Sequence, residues 1–198
     1  MSSTAAEALR IAALRFGGRA HIIDRDRARS FAELDAAADQ VAAALRRREL
    51  PPGARIALRI GNSFAGVAAA FGVWRAGGIL VPLNPRLTAS EERTIAELSG
   101  ARLAGSVGDD PSALEIEERT EADDIPVAGD VAAVAFTSGT TGKPKGVEIT
   151  HANLLWSAAA VMHTRRDWHD SVAAVVSPIC HLPVFVSHYL ARLLSGGT

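Results

Sequence analysis

Lysine is almost missing from this chain: of its 21 Lys and Arg residues, only two, Lys143 and Lys145, are lysines. Cysteine is scarcer still. Cys180 stands alone, so an internal disulfide is excluded and a reducing compartment is implied, with the cytoplasm the expected location. No apolar run approaches the roughly 18 residues of a membrane span. The first residues, Met-Ser-Ser-Thr-Ala-Ala-Glu, lack a basic stretch followed by a hydrophobic one, so no transmembrane segment or leader is read here. Excess charge is also absent. A net charge of −1 leaves no footprint for nucleic acid or an anionic membrane. The six histidines include no His-Glu-x-x-His or other zinc spacing. What is present, 48% hydrophobic and 22% charged residues over 198 positions, suffices for one substantial core.

Both lysines fall in one segment. Phe136 to Gly146 reads Phe-Thr-Ser-Gly-Thr-Thr-Gly-Lys-Pro-Lys-Gly and follows an apolar run, Val131 to Phe136, that reads as a buried strand. Glycines permit positive φ and close approach, so successive amides can turn inward around an anion, while hydroxyls add donors and lysines add compact charge. The segment is not a Walker loop. That pattern requires glycine at residue 137 and Ser or Thr after Lys143, where this chain has Thr137 and Pro144. Pro144 also disfavours a helical Lys143, so no helix start follows directly to hold a phosphate.

Elsewhere the pattern alternates helix and strand. A helix is expected over 4–16, stopped by Gly17-Gly18, then a strand at 21–24, a polar turn, and an extended stretch at 29–31. Ser30 and Glu33 are spaced as a capping box for a helix to about Arg48. After the Pro51-Pro52-Gly53 break come a strand at 55–60, a tight turn at Gly61-Asn62-Ser63, a helix at 64–76 and a strand at 79–82. That succession is a βαβ unit and implies parallel pairing. Thr88 and Glu91 cap a helix to Ser99, with a strand at 102–107. From Gly108 to Gly129 the chain carries eight Asp or Glu and reads as an acidic, variable connection. A strand at 147–150 and a helix at 152–162, capped by Thr150, follow. A fully apolar strand at 171–176 and a buried helix at 182–194 complete the set. The fold class is therefore α/β, a largely parallel sheet flanked by helices.

Thr137 to Val147, with His151-Ala-Asn-Leu after it, resembles the phosphate-loop signature of the AMP-forming adenylating enzymes. That family includes acyl-CoA and aryl-CoA synthetases, adenylation domains of peptide synthetases and beetle luciferases. Ser30-Phe-Ala-Glu-Leu-Asp and the run from Trp74 to Thr88 are similar to its first two core motifs, and Val-Pro-Leu-Asn-Pro-Arg-Leu leans toward acyl-CoA synthetases. The resemblance spans essentially the whole chain but only the front portion of the family's large N-terminal domain. The adenine and magnesium segment, the ribose-binding aspartate, the hinge and the C-terminal domain with its lysine are not found here.

The resemblance implies activation of a small carboxylic acid with ATP and Mg2+ to an acyl adenylate, then thioester formation with coenzyme A or a carrier-protein thiol. Its phosphate-holding residues are Thr137, Ser138, Gly139, Thr140, Thr141, Gly142, Lys143 and Lys145, and His181 is placed beside the acyl group. Cys180 before His181 and Pro183 after it depart from the family pattern. Magnesium ligands are not expected in this chain, and the isolated chain is not expected to be catalytically competent. A Cys180–His181 nucleophile pair is rejected, because neighbours on an extended strand point to opposite faces. Two other readings remain: an adenylation domain that loads a carrier protein, and a non-catalytic nucleotide-binding or interaction module.

Overall fold

A computed structural model describes residues 4–111, 113–119, 129–137 and 144–198. The elements in chain order are α1 (Ala5–Phe16), β1 (Ala20–Asp24), β2 (Arg27–Ser30), α2 (Phe31–Arg46), β3 (Arg55–Arg59), α3 (Phe64–Arg75), β4 (Ile79–Leu83), α4 (Ala89–Ser99), β5 (Leu103–Val107), β6 (Leu114–Glu118), β7 (Val131–Thr137), β8 (Lys145–Thr150) and α5 (His151–Arg165). A helical run closes the chain: α6 (Leu182–Val184), a π-helical stretch (Phe185–Leu190) and α7 (Ala191–Ser195).

Six strands form one sheet in the order β6-β5-β3-β4-β7-β8. The inner pairs β5–β3, β3–β4 and β4–β7 are parallel, and the outer strands β6 and β8 run antiparallel. The β3-α3-β4 unit is the expected parallel crossover. Its register runs from Arg55 opposite Ile79 to Arg59 opposite Leu83.

Alternation along these strands builds two cores, because successive side chains leave opposite faces of the sheet. Ile56, Leu58, Ile60 and Leu80 join a large cluster with α1, α2, α3 and the C-terminal helices, while Ala57, Ile79, Val81 and Leu83 meet Ala96 of α4 on the other face. The alternation slips in β7, where Ala132 and Ala133 both face the larger cluster and Val131 and Val134 the smaller. A bulge between Val131 and Ala133 accounts for the slip.

Helix α3 is buried from Phe64 to Trp74, as its lack of polar residues demands. It packs on α2 at Gly72, where an added Cβ would sit 2.3 Å from Val41 Cγ1. The Ser30/Glu33 and Thr88/Glu91 boxes form as expected, and Thr150 caps α5 with Asn153 in the reciprocal role. A fourth box, Thr4 with Glu7, opens α1.

Two expectations are corrected. The acidic connection contains a strand: Leu114–Glu118 pairs antiparallel with β5 across its whole length. Its sequence, Leu-Glu-Ile-Glu-Glu, places Leu114 and Ile116 half-buried against the core and carboxylates outward, the charged pattern of a protected sheet edge. The second correction concerns residues 171–176, which form no strand. An apolar run favours extended backbone, but a strand needs a partner ladder. Here Thr198 alone supplies one, with its amide on the Ser171 carbonyl and its carbonyl accepting from Ala173, both at 2.9 Å. Val172 and Val176 stay 73% and 91% exposed. The expected buried helix at 182–194 is helical throughout but broken by its π turn.

Candidate functional site

β7 runs parallel to β4 and β3, so its carboxyl end lies at the same sheet edge as theirs, the edge where open α/β sheets bind ligands. Its burial falls off toward that edge: Val131 to Val134 are buried, Ala135 and Phe136 half-buried, and Thr137 exposed. β8 returns antiparallel, pairing Phe136 with Gly146 and Thr137 with Lys145. The last rung of the hairpin thus sets the Thr137 hydroxyl and the Lys145 ammonium at the mouth of the 138–144 connection. Ser138, Gly139, Thr140, Thr141, Gly142 and Lys143 lie outside the described residues. Lys145 is exposed and makes no ion pair with another described residue. Gly146 packs closely here: an added Cβ would stand 3.0 Å from Val134 Cγ1 and 3.2 Å from Phe136 Cζ, side chains that would have to give by a few tenths of an ångström. A strand follows Lys145 directly, so the helix start that a Walker loop needs is missing, as Pro144 implies.

The base of this hairpin is fixed by residues to which the sequence reading gave no such role. The His151 amide donates to the Asp130 carbonyl at 3.0 Å, closing the end opposite the loop. Trp74 of α3 donates its indole N–H to the Ala132 carbonyl at 2.8 Å. Arg55, 5% exposed at the start of β3, pairs with Glu148 of β8 at 3.8 Å.

His181 is exposed at the N-cap position of α6, and its neighbour Cys180 is buried in the larger core. Burial raises the Cys180 thiol above its ordinary range and leaves it protonated. The two side chains part company as expected, but at a turn following Pro178 rather than on a strand, so the physical reason differs. Asn62 is the functional neighbour that sequence reasoning missed. It follows the carboxyl end of β3, its Oδ1 accepts from the Ile179 amide at 2.8 Å, and its Nδ2 donates to the Ser177 carbonyl at 2.9 Å. This double clamp holds the segment leading to His181 at the edge to which β7 delivers Thr137. An Asn in a Gly-Asn-Ser turn was the available signal, and it reads locally as turn chemistry.

A recess of about 310 Å³ opens near Asn62, lined also by Asp24, Val175, His188, Tyr189 and Arg192. None of Thr137, Lys145 and His181 lines it. Burial and the nearby Asp24 charge push the Tyr189 phenol up to about 12, so it remains a neutral wall of that recess. Among the described residues no group of three or more His, Cys, Asp or Glu is placed to hold a metal.

The fold is thus an open α/β sheet whose carboxyl edge carries the hairpin mouth of Thr137 and Lys145. The family model of AMP-binding enzymes matches residues 9–198, and the chain belongs to that family. It is 31% identical over 189 residues to a feruloyl-CoA synthase of Amycolatopsis, covering 85% of this chain and 38% of that protein. It is 38% identical over 153 residues to the cyclosporin synthetase of Tolypocladium inflatum, covering 68% of this chain and 1% of that protein. Among solved structures, Mycobacterium smegmatis MbtA superposes with a TM-score of 0.84 at 23% identity, over 100% of this chain and 43% of that one. The o-succinylbenzoate CoA synthetase of Bacillus subtilis, in complex with its acyl-adenylate intermediate, gives 0.80 at 25% identity, over 96% and 54%. The chain thus spans under half the length of the curated relatives named. No helix among the described residues is long and apolar enough to cross a membrane.

Proposed function

We propose that this chain is the phosphate-holding front portion of the N-terminal domain of an AMP-forming acyl-CoA synthetase, acting on a fatty or aryl acid. In the reaction the carboxylate attacks the α-phosphorus of ATP, forming an acyl adenylate and releasing pyrophosphate, and the thiol of coenzyme A then displaces AMP. The observation that carries this reading is the hairpin mouth, where Thr137 and Lys145 face each other at the carboxyl edge of a parallel sheet.

In this reading the 137–145 loop holds the β and γ phosphates through backbone amides around Gly139 and Gly142 and the hydroxyls of Thr137, Ser138, Thr140 and Thr141. Lys145, with Lys143, supplies charge to the departing pyrophosphate. Stabilising charge on a leaving group by fixed donors is the larger part of such catalysis. Magnesium, when bound, would neutralise phosphate charge. His181 borders the acyl group, held in place by the Asn62 clamp. Residues 1–198 form part of the N-terminal domain, with a C-terminal domain supplied beyond them, and the protein works in the cytoplasm.

The test is pyrophosphate exchange in the longer polypeptide this reading implies. Lys145→Ala with Thr140→Ala is expected to raise the KM for ATP about 10- to 100-fold, the equivalent of one or two charge-assisted hydrogen bonds. Unchanged exchange would overturn the assignment.

The identity to cyclosporin synthetase favours a second reading, an adenylation domain that loads a carrier-protein thiol. Product analysis with free coenzyme A against a phosphopantetheinylated carrier separates the two.

A further inference from the structure

His151 follows β8 without a break, opens α5, and is buried. Three contacts converge on it. Its amide closes the base of the β7–β8 hairpin through Asp130. Its ring meets Trp74 edge-on, with centroids 5.8 Å apart, and Trp74 is itself bonded to β7. Its Nδ1 accepts from the Ala5 amide at 3.3 Å, across 146 positions of sequence. Ala5 is the first residue of α1 and 0% exposed, and its amide is one of those a helix start leaves without an internal partner. An amide facing Nδ1 fixes the tautomer, with the ring proton on Nε2.

The hairpin depends on such attachments. Among the described residues β8 has no strand on its outer side, and the register of β7 with β4 is one position, Leu80 with Ala133. We propose that His151 is a positioning residue for the β7–β8 hairpin: as a neutral acceptor at Nδ1, it ties the first turn of α1 to the base of the hairpin and thereby sets Thr137 and Lys145 in place at its mouth. This rests on the phosphate-holding role given to the loop above. Its structural half, the tie itself, stands without that role.

Asn, Gln and Ala at this position separate the tie from simple packing. His151→Asn sets an acceptor oxygen where Nδ1 lies, two bonds from Cβ. His151→Gln carries its polar atoms one bond further, and His151→Ala removes them. Hydrogen exchange on the 198-residue chain is the primary readout. The Ala and Gln variants are expected to speed exchange of the β7 and β8 amides at least about tenfold, with α2 and α3 amides changing under about threefold, and Asn is expected to stay within about threefold of wild type. If the Ala and Gln variants do not fold, a wild-type-like melt of the Asn variant supports the tie, and its collapse alongside them overturns it. Equal exchange in the Ala and Asn variants, or an unchanged hairpin in the Ala variant, also overturns it.

In the longer polypeptide, His151→Ala should raise the KM for ATP about tenfold with kcat nearly unchanged, and Asn should restore it. Lys145→Ala distinguishes the two failures. If that variant leaves exchange of pyrophosphate untouched while the hairpin loosens in His151→Ala, the phosphate role is wrong and the tie stands. If Lys145→Ala impairs exchange while His151→Ala leaves hairpin and KM at wild type, the tie is wrong and the phosphate role stands.

Discussion

His21 lies 3% exposed in the core, stacked on Phe31 with ring centroids 4.1 Å apart. Its Nδ1 is 2.9 Å from the Gly197 carbonyl and donates to it, and its Nε2 is buried without a partner. Desolvation pushes its pKa down to about 4, against the smaller upward pull of the Gly197 carbonyl. Protonation would place an unpaired charge in that core, so the unfolded chain binds the extra proton more readily. Stability is therefore complete above the ordinary histidine value of about 6.5 and declines as pH falls toward 4, by on the order of 3 kcal/mol. Burial also lowers His151, against the raising charges of Asp130 and Glu7, and adds to the loss with the same sign. Urea titrations at pH 7 and pH 4.5 should show the drop, and His21→Phe, which keeps the stacking, should flatten most of it. An equally steep drop in His21→Phe would assign the effect elsewhere. Gly146→Ala is a second residue-scale prediction. Its methyl presses on Val134 and Phe136 by only a few tenths of an ångström at an exposed strand position, so a change within about 1 kcal/mol is expected in the same titration, and a larger loss would show that neither side chain yields.

At the scale of elements, α2 and α3 approach so closely at Gly72 that a methyl there would overlap Val41 and come within 3.1 Å of the Ala38 carbonyl. Gly72→Ala should therefore destabilise the chain by about 1–3 kcal/mol despite the better helix propensity of alanine, and Val41→Ala should partly rescue it. A stabilised Gly72→Ala would contradict the interface.

The contrast with the capping boxes shows what was legible in the sequence. Ser30/Glu33 and Thr88/Glu91 are decided within four residues and could be read directly, as could the βαβ unit from its period. Gly72 could not, because its reason lies 31 positions away in Val41. Strand β6 was obscured by the charges that protect a sheet edge, and residues 171–176 lacked a partner that no local pattern reveals. In the site, Thr137 and Lys145 were readable from motif spacing. Trp74 and His151 stood in the quoted motifs and Asn62 in a tight turn, but the contacts of all three were not legible, because each acts on backbone far along the chain.

Over the whole molecule, apolar surface is distributed unevenly. Trp74 is 5% exposed at the junction of α3 and β7, whereas Trp156 and Trp168 stand 75% and 68% exposed. Fluorescence can read this arrangement directly. Acrylamide should quench the emission of Trp156 and Trp168 and leave a blue-shifted, protected component from Trp74. That component should persist in the Trp156→Phe, Trp168→Phe double variant, and its full accessibility there would refute the packing around β7.

The single rung between β4 and β7 sets the mechanical character of this molecule. Five rungs join β3 to β4 and four join β3 to β5, whereas the register between β4 and the β7–β8 hairpin has one. Shear applied across the sheet would concentrate at that seam. Strain between the two parts would there be borne by side chains such as Trp74, whose indole N–H holds the Ala132 carbonyl, as much as by the short ladder.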